Sequence, residues 1–234
     1  MNPPRHILIT GASRGLGRAL AEHYVERGDA VVGCSRGPAT LEHPQYSHVA
    51  ADVTDEAAVQ RLCDQVRERC GGLDVLLNNA GVGRMLPVAL TPLATARRLV
   101  DVNFLGTFLL THAAVRLLRH SPAGRIVNFT SIAVPLRLEG EAIYAAAKSA
   151  VETFTRVVAK ELGPLGITCN AVGPSPIRTD LLRNVPEEKL QALIDRQAIR
   201  TWAEPQDVIN IVDFFLKPES RHVTGQVLYL GGLG

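Results

Sequence analysis

The amino-acid sequence predicts an α/β protein, a Rossmann-type, doubly wound parallel sheet of about seven strands with helices on both faces. Three observations predict it. Short apolar runs alternate with longer amphipathic stretches along the whole chain. Most runs are rich in Val, Ile and Leu with little polar alternation, as in parallel strands buried on both faces. A glycine-rich turn follows the first run, where a helix is expected to begin. No repeat and no Gly/Ser-rich linker divides the 234 residues, so a single unit spanning 1–234 is expected.

The predicted strands are His6–Thr10, Ala30–Cys34, His48–Ala51, Val75–Leu77, Arg125–Thr130, Ile167–Val172 and Gln226–Leu230. Between them the spacing predicts helices over Gly15–Arg27, Glu56–Cys70, Leu93–Leu118, Ala142–Leu162 and Gln206–Leu216. Strand and helix in turn imply right-handed βαβ crossovers. The stretch from Pro174 to Glu204 breaks this rhythm with prolines and a short helical pattern at Glu187–Arg196. It follows the sixth strand, near the sheet edge where open α/β folds bind ligands, and is a candidate substrate lid.

Composition narrows the function. Lys+Arg 25 against Asp+Glu 23 gives a net charge of +2, and the arginines are scattered rather than gathered into a nucleic-acid footprint. Cys34, Cys63, Cys70 and Cys169 lack the spacing of a zinc site and read as reduced thiols, so no metal is expected. No apolar run is long enough to span a bilayer, and Met1-Asn2-Pro3-Pro4-Arg5 leads into a strand without the zones of a signal peptide. A cytoplasmic protein is the resulting expectation.

The turn Thr10-Gly11-Ala12-Ser13-Arg14-Gly15-Leu16-Gly17 lies between a strand and a helix. Glycines permit a tight turn and close approach of backbone to a pyrophosphate, and the helix start offers free N–H groups. The second strand ends in Cys34-Ser35-Arg36, where NAD-preferring sites place an acid for the ribose 2′-hydroxyl. An arginine there suits a 2′-phosphate instead, and Arg14 is a second candidate for it. NADP(H) is therefore the expected cofactor.

Tyr144 and Lys148 are four apart in a helical stretch, which puts phenol and ammonium on one face. A free tyrosine has a pKa of about 10, and a nearby cation lowers it toward neutrality. Ser131 closes the fifth strand, where its hydroxyl can bind a substrate oxygen. Tyr144 would then give that oxygen its proton while a nicotinamide delivers hydride.

Over essentially its whole length the chain resembles the short-chain dehydrogenase/reductase family. The likeness rests on Thr10-Gly11-x-x-x-Gly15-x-Gly17, Asp52-Val53, Asn78-Asn79-Ala80-Gly81, Asn103, the set Ser131, Tyr144 and Lys148, the segment Pro174–Thr179 and the ending Thr224–Gly232. It implies catalysis by Asn103 in a proton relay, Ser131 on the carbonyl, Tyr144 as acid/base, and Lys148 lowering the tyrosine pKa and gripping the ribose. It implies cofactor contacts by Gly11, Ser13, Arg14, Gly15, Leu16, Gly17, Arg36, Asp52, Val53, Asn79, Ala80, Gly81, Tyr144, Lys148, Pro174, Ile177 and Thr179. Ser175 stands where the family usually has glycine, which puts the local turn geometry in question.

The general likeness is to 3-oxoacyl-carrier-protein reductases. A narrower one, to flagellin-glycosylation and sugar-biosynthesis members, rests on Val134–Glu141, Gly173–Thr179 and Gln197–Arg200. The substrate implied is a carbonyl or secondary alcohol: a 3-oxoacyl thioester, or a keto-sugar or other polar ketone, carrier-bound or anionic. Arg84, Arg137, Arg178 and Arg183 are expected to rim the mouth and suit such an anion. A homotetramer or homodimer joined through the two long helices and last strand is implied as well. The alternatives are a catalytically idle NADP-sensing module and a methyltransferase; the retained Tyr144 and Lys148 argue against the first, and Arg36 is unexplained by the second.

Overall fold

The computed structural model describes residues 4–183 and 185–232. Met1, Asn2 and Pro3 of the N-terminal segment, Asn184 of the lid segment and residues 233–234 lie outside the described residues. Seven strands form one sheet in the order β3-β2-β1-β4-β5-β6-β7. They are β1 (His6–Thr10), β2 (Ala30–Ser35), β3 (Tyr46–Ala50), β4 (Val75–Asn78), β5 (Arg125–Phe129), β6 (Thr168–Gly173) and β7 (Val227–Tyr229). Every neighbouring pair is parallel. The order reverses between β1 and β4, and a crevice opens outside the strand ends at such a switch point.

Helices cover both faces. On one lie α2 (Glu56–Cys70), α4 (Gly106–Leu118) and α6 (Ala142–Leu162), packed through Leu62, Leu110 and Val158 against Leu8, Leu76 and Ile126. On the other lie α1 (Gly15–Glu26) and α8 (Pro205–Leu216), packed through Leu20 and Val212 against Ile7, Ile9 and Leu77. Successive residues of β1 thus feed opposite cores, which is why Ile7, Leu8 and Ile9 are all apolar. Local signals set the helix ends. Asp55 accepts from Ala58 N at 3.0 Å to cap α2, and Gly71, at φ 72°, terminates it.

The long helix expected over Leu93–Leu118 is interrupted. α3 (Leu93–Val100) passes through a π turn at Asp101–Leu105 before continuing as α4. The apolar periodicity runs through both, so nothing marked the extra residue except Asn103, which the π turn buries completely. The segment 174–204 holds a 3₁₀ turn at Asp180–Leu182 and α7 (Glu187–Asp195), and a short α5 (Ala133–Leu136) follows Ser131. No helix among the described residues is long and apolar enough to cross a membrane.

Candidate active site

The carboxyl ends of the central strands open into one continuous crevice of about 1830 Å³. It runs from the glycine turn after β1, past the end of β2, to Ser131, Tyr144 and Lys148. Gly11 and Gly15 sit at φ 70° and φ 54°, left-handed conformations that glycine adopts without strain. Gly17 is held from beneath: a Cβ there would come 2.2 Å from Gly11 O and 2.4 Å from Asn79 Nδ2. Asn79 Nδ2 in turn donates to Thr10 O at 2.9 Å, and Ala80 N donates to Thr10 Oγ1 at 2.9 Å, tying the turn to β4. Gly17→Ala is expected to destabilise the protein by about 1–3 kcal/mol through overpacking. A Tm equal to that of the parent would show that the turn can open.

The start of α1 suits an anion. Its first turn carries no acid, and the extended Arg14 at its N-cap makes no side-chain capping bond. The leading N–H groups and positive dipole end are therefore free to face the crevice. Thr179 closes the far side, its Cγ2 3.4 Å from where a Cβ of Gly15 would lie. Leu16, Ser13, Pro174 and Ile177 complete this part of the wall.

Asp52, Val53 and the exposed Arg36 line the arm beyond β2. Asp52 Oδ1 accepts from Thr54 N at 3.0 Å and Thr54 Oγ1 at 2.8 Å, so it fixes its own turn as well as bordering the crevice. The backbone bond from Thr54 is the main reason its carboxyl is held below the usual range; Arg36 and Arg98 add to it. Arg14 is not free: its Nη1 lies 3.2 Å from Asp180 Oδ2, joining the glycine turn to the 174–204 segment by an exposed ion pair.

At the other end, Tyr144, Lys148 and Ser131 share the crevice wall. Lys148 Nζ donates to Phe129 O at 2.7 Å and lies 6.0 Å from the Tyr144 ring centroid. Burial lowers the lysine pKa to about 8. Burial also raises the Tyr144 phenol to about 12, against a hydrogen bond from Ser131 that pulls it down and the Glu141 carboxylate that pushes it up. The acidification expected from Lys148 is thus not among the influences on this phenol. Desolvation is the dominant influence, and Ser131 is the group that favours the phenolate.

Asn103 sits one layer behind. Its Nδ2 donates to Val82 O at 2.8 Å and Leu99 O at 2.9 Å, and its Oδ1 accepts from Val82 N at 3.1 Å. It pins the loop after β4 to the π turn. A Cβ on Gly81 would come 3.0 Å from Asn103 Oδ1 and 3.5 Å from Lys148 Nζ, so the bare glycine keeps the three groups in touch.

The predicted arginine rim is half right. Arg84 and Arg137 line the crevice. Arg178 instead stacks on Trp202, 4.1 Å from the ring centroid, and pairs with Glu187 at 3.5 Å, while Arg183 is exposed away from the lining. Lys189 and Arg196 stand in the lining in their place, brought there by α7 and its cap, and no spacing signal marked them. Arg137 has φ 49°, the one non-glycine residue at positive φ among the described residues.

Ser175 resolves the question raised by the missing glycine. Its Oγ donates to Gln197 Oε1 at 2.5 Å, and both side chains are buried. Gly231, at φ 86°, makes the room: a Cβ there would come 2.0 Å from Gln197 Oε1 and 2.6 Å from Ser175 Oγ. Ala198 N and Ile199 N donate to Gly232 O and Gly231 O at 3.0 and 3.1 Å, which anchors the 174–204 segment to the chain that follows β7.

The family model described as Enoyl-(Acyl carrier protein) reductase matches residues 11–232. The chain is 31% identical to a 3-oxoacyl-[acyl-carrier-protein] reductase of Vibrio harveyi, with 96% of this chain and 95% of that protein covered. It is 37% identical to (2S)-[(R)-hydroxy(phenyl)methyl]succinyl-CoA dehydrogenase subunit BbsD of Thauera aromatica, with 97% and 95% covered. The solved structure of ligand-free aldohexose dehydrogenase from Thermoplasma acidophilum superposes with a TM-score of 0.90 at 29% identity, covering 98% of this chain and 94% of that one. Sheet order, glycine turn, crevice and matched span agree, and the chain belongs to the short-chain dehydrogenase/reductase family of oxidoreductases.

Proposed function

We propose that the protein is an NADP(H)-dependent ketone reductase in which Tyr144 is the acid/base. The observation that carries this is the single crevice joining an anion-ready helix start to the half-buried Ser131 and the buried Tyr144 and Lys148. The glycine cradle fits a dinucleotide: at Gly11, Gly17 and Gly81 a Cβ would come within 3.0 Å of neighbouring protein atoms and Gly15 has φ 54°, so bare backbone borders the crevice there. Gly11 to Gly17 and the α1 N–H groups would hold the pyrophosphate, Asp52, Val53 and Asn79 to Gly81 the adenosine side, and Pro174, Ile177 and Thr179 the nicotinamide side. Arg36, with Arg14 released from Asp180, would hold a 2′-phosphate. When bound, the nicotinamide supplies or takes up the hydride.

The chain's own residues do the rest. Ser131 orients the carbonyl oxygen and Tyr144 gives it a proton. The phenol, raised to about 12 by burial, holds that proton throughout the neutral range, as a general acid for reduction must. Lys148 remains cationic below about pH 8, where it grips the ribose and restores the proton through Asn103. Residues 174–204 close over the substrate as a lid.

The substrate reading is a 3-oxoacyl thioester or another ketone with an anionic handle. Leu86, Leu138, Val185 and Leu193 offer an apolar wall beside Arg84, Arg137, Lys189 and Arg196. A second reading, a keto-sugar, is favoured by Glu141. This carboxylate faces the crevice without capping α6, and it suits a substrate hydroxyl. The test is NADPH oxidation with a panel of acyl-thioester ketones and keto-sugars. The expected result is turnover concentrated in one class, with NADPH favoured over NADH. Tight NADPH binding without turnover of either class would return the idle-sensor reading. Leu105 and Phe108 of the α3–α4 unit and Val157 of α6 are exposed, and a homodimer or homotetramer through those helices is part of this proposal, to be read by light scattering.

A further inference from the structure

β3 carries a histidine outside the crevice lining that braces the wall from behind. His48 Nε2 lies 3.1 Å from Gly37 O and 3.0 Å from Ser35 Oγ. A carbonyl oxygen only accepts, so Nε2 carries a hydrogen; in the tautomer with Nδ1 bare, Nδ1 accepts from the Tyr46 hydroxyl at 2.8 Å. Ser35 Oγ also donates to Gly37 O at 3.1 Å. These bonds close on the two residues that flank Arg36.

The arrangement follows from the sheet. Gly33 of β2 pairs with His48, and Val31 with Tyr46, so Tyr46 and His48 present the same face at the outer edge. Gly33 makes room for the phenol: a Cβ there would come 2.1 Å from Tyr46 Oη. A second tether holds the same loop, where Thr40 Oγ1 donates to Ser13 O of the glycine turn at 2.6 Å. The loop from Ser35 to Thr40 is thus tied to β3 on one side and to the phosphate-binding turn on the other, with Arg36 the exposed side chain between.

An arginine on a loose loop loses backbone and side-chain freedom when it grips a phosphate, and that loss subtracts from affinity. A turn already held in place avoids most of it. We infer that His48 is a positioning residue for cofactor choice: by clamping Ser35 and Gly37 it presets Arg36 for a phosphomonoester on the adenosine ribose. This rests on the NADP(H) reading and extends it to a residue that touches no cofactor atom. The clamp acts on the 2′-phosphate alone, so its loss falls on NADPH and spares NADH.

The test is the KM and kcat for NADPH and NADH, measured separately for the parent, His48→Ala, His48→Gln, Tyr46→Phe and Arg36→Ser. His48→Ala should raise KM for NADPH about tenfold, the scale on which a supporting partner matters, with KM for NADH and both kcat values held within about twofold. His48→Gln keeps an N–H for Gly37 O and should recover much of the loss. Tyr46→Phe, which frees Nδ1 without cutting a cavity, should fall between. Equal rises for both cofactors, or an unchanged preference in His48→Ala and Tyr46→Phe, would overturn the clamp. The control separates the two levels. If Arg36→Ser removes NADPH preference and His48→Ala does not, only the clamp fails. If Arg36→Ser leaves the preference intact, the NADP(H) assignment of that arm fails and the clamp with it.

Discussion

Tyr144→Phe is expected to reduce kcat for ketone reduction by about 10²–10⁴-fold, the range a positioned general acid supplies. The Kd for NADPH should stay within a few-fold. The variant isolates the proton because the ring stays. Tyr144 is buried against Leu99 and Ala133, and phenylalanine fills that same place. Only the hydroxyl and its link to Ser131 are lost. The pH dependence carries a second signature. With the phenol at about 12, its protonated form is constant across the neutral range, so reduction should show no limb from Tyr144 there. Alcohol oxidation needs the phenolate and should rise with pH throughout the accessible alkaline range. Stopped-flow rates in both directions against pH check both statements.

Lys148→Met is expected to abolish turnover and to stabilise the fold. Lys148 is 5% exposed, and burial lowers its pKa from 10.5 to about 8. At about 1.36 kcal/mol per pKa unit, holding the charge inside costs roughly 3 kcal/mol near neutrality. Methionine removes that penalty but leaves Phe129 O without its donor, which returns about 1–2 kcal/mol. The net expectation is a gain of about 1–2 kcal/mol at pH 7. Between about pH 8 and pH 10.5 the unfolded chain binds the proton that the folded chain has released. Parental stability therefore rises with pH in that window and the variant's advantage shrinks. Urea unfolding at pH 7 and pH 9.5 reads this directly, and an advantage of equal size at both would contradict it. A destabilising charge kept at a reaction centre is the usual exchange between stability and function.

The central fold was legible because buried parallel strands and amphipathic helices write different periods. β2, β1, β4, β5 and β6, the inner strands, have largely apolar runs and lie within a residue or so of their predicted positions. The edges were less legible. β3 begins at Tyr46 rather than His48, and β7 is confined to Val227–Tyr229, since half-exposed outer strands need no continuous apolar run. The π turn at Asp101–Leu105 preserves the apolar stripe, so Asn103 was its one mark in the sequence. The residues of the glycine turn, Asp52, Asn79 to Gly81, Ser131, Tyr144 and Lys148 do come together in one crevice, as their motifs implied. What sequence missed is what tertiary packing alone decides. Gln197 meets Ser175 only because Gly231 leaves a gap, Arg196 and Lys189 reach the mouth only because α7 folds back, and Arg178 leaves it to stack on Trp202.

All of this depends on a phenol on α6 facing a nicotinamide held in the glycine-lined crevice. The most direct measurement uses NADPH deuterated at the transferring position of the nicotinamide, with a ketone that the panel identifies, and mass analysis of the alcohol formed. One deuterium should appear on the carbinol carbon with the parent protein, and Tyr144→Phe should form this labelled alcohol about 10²–10⁴-fold more slowly, although both bind the cofactor. Label transfer by Tyr144→Phe at the parental rate would contradict the assignment of Tyr144, and transfer by neither protein would contradict the enzyme itself.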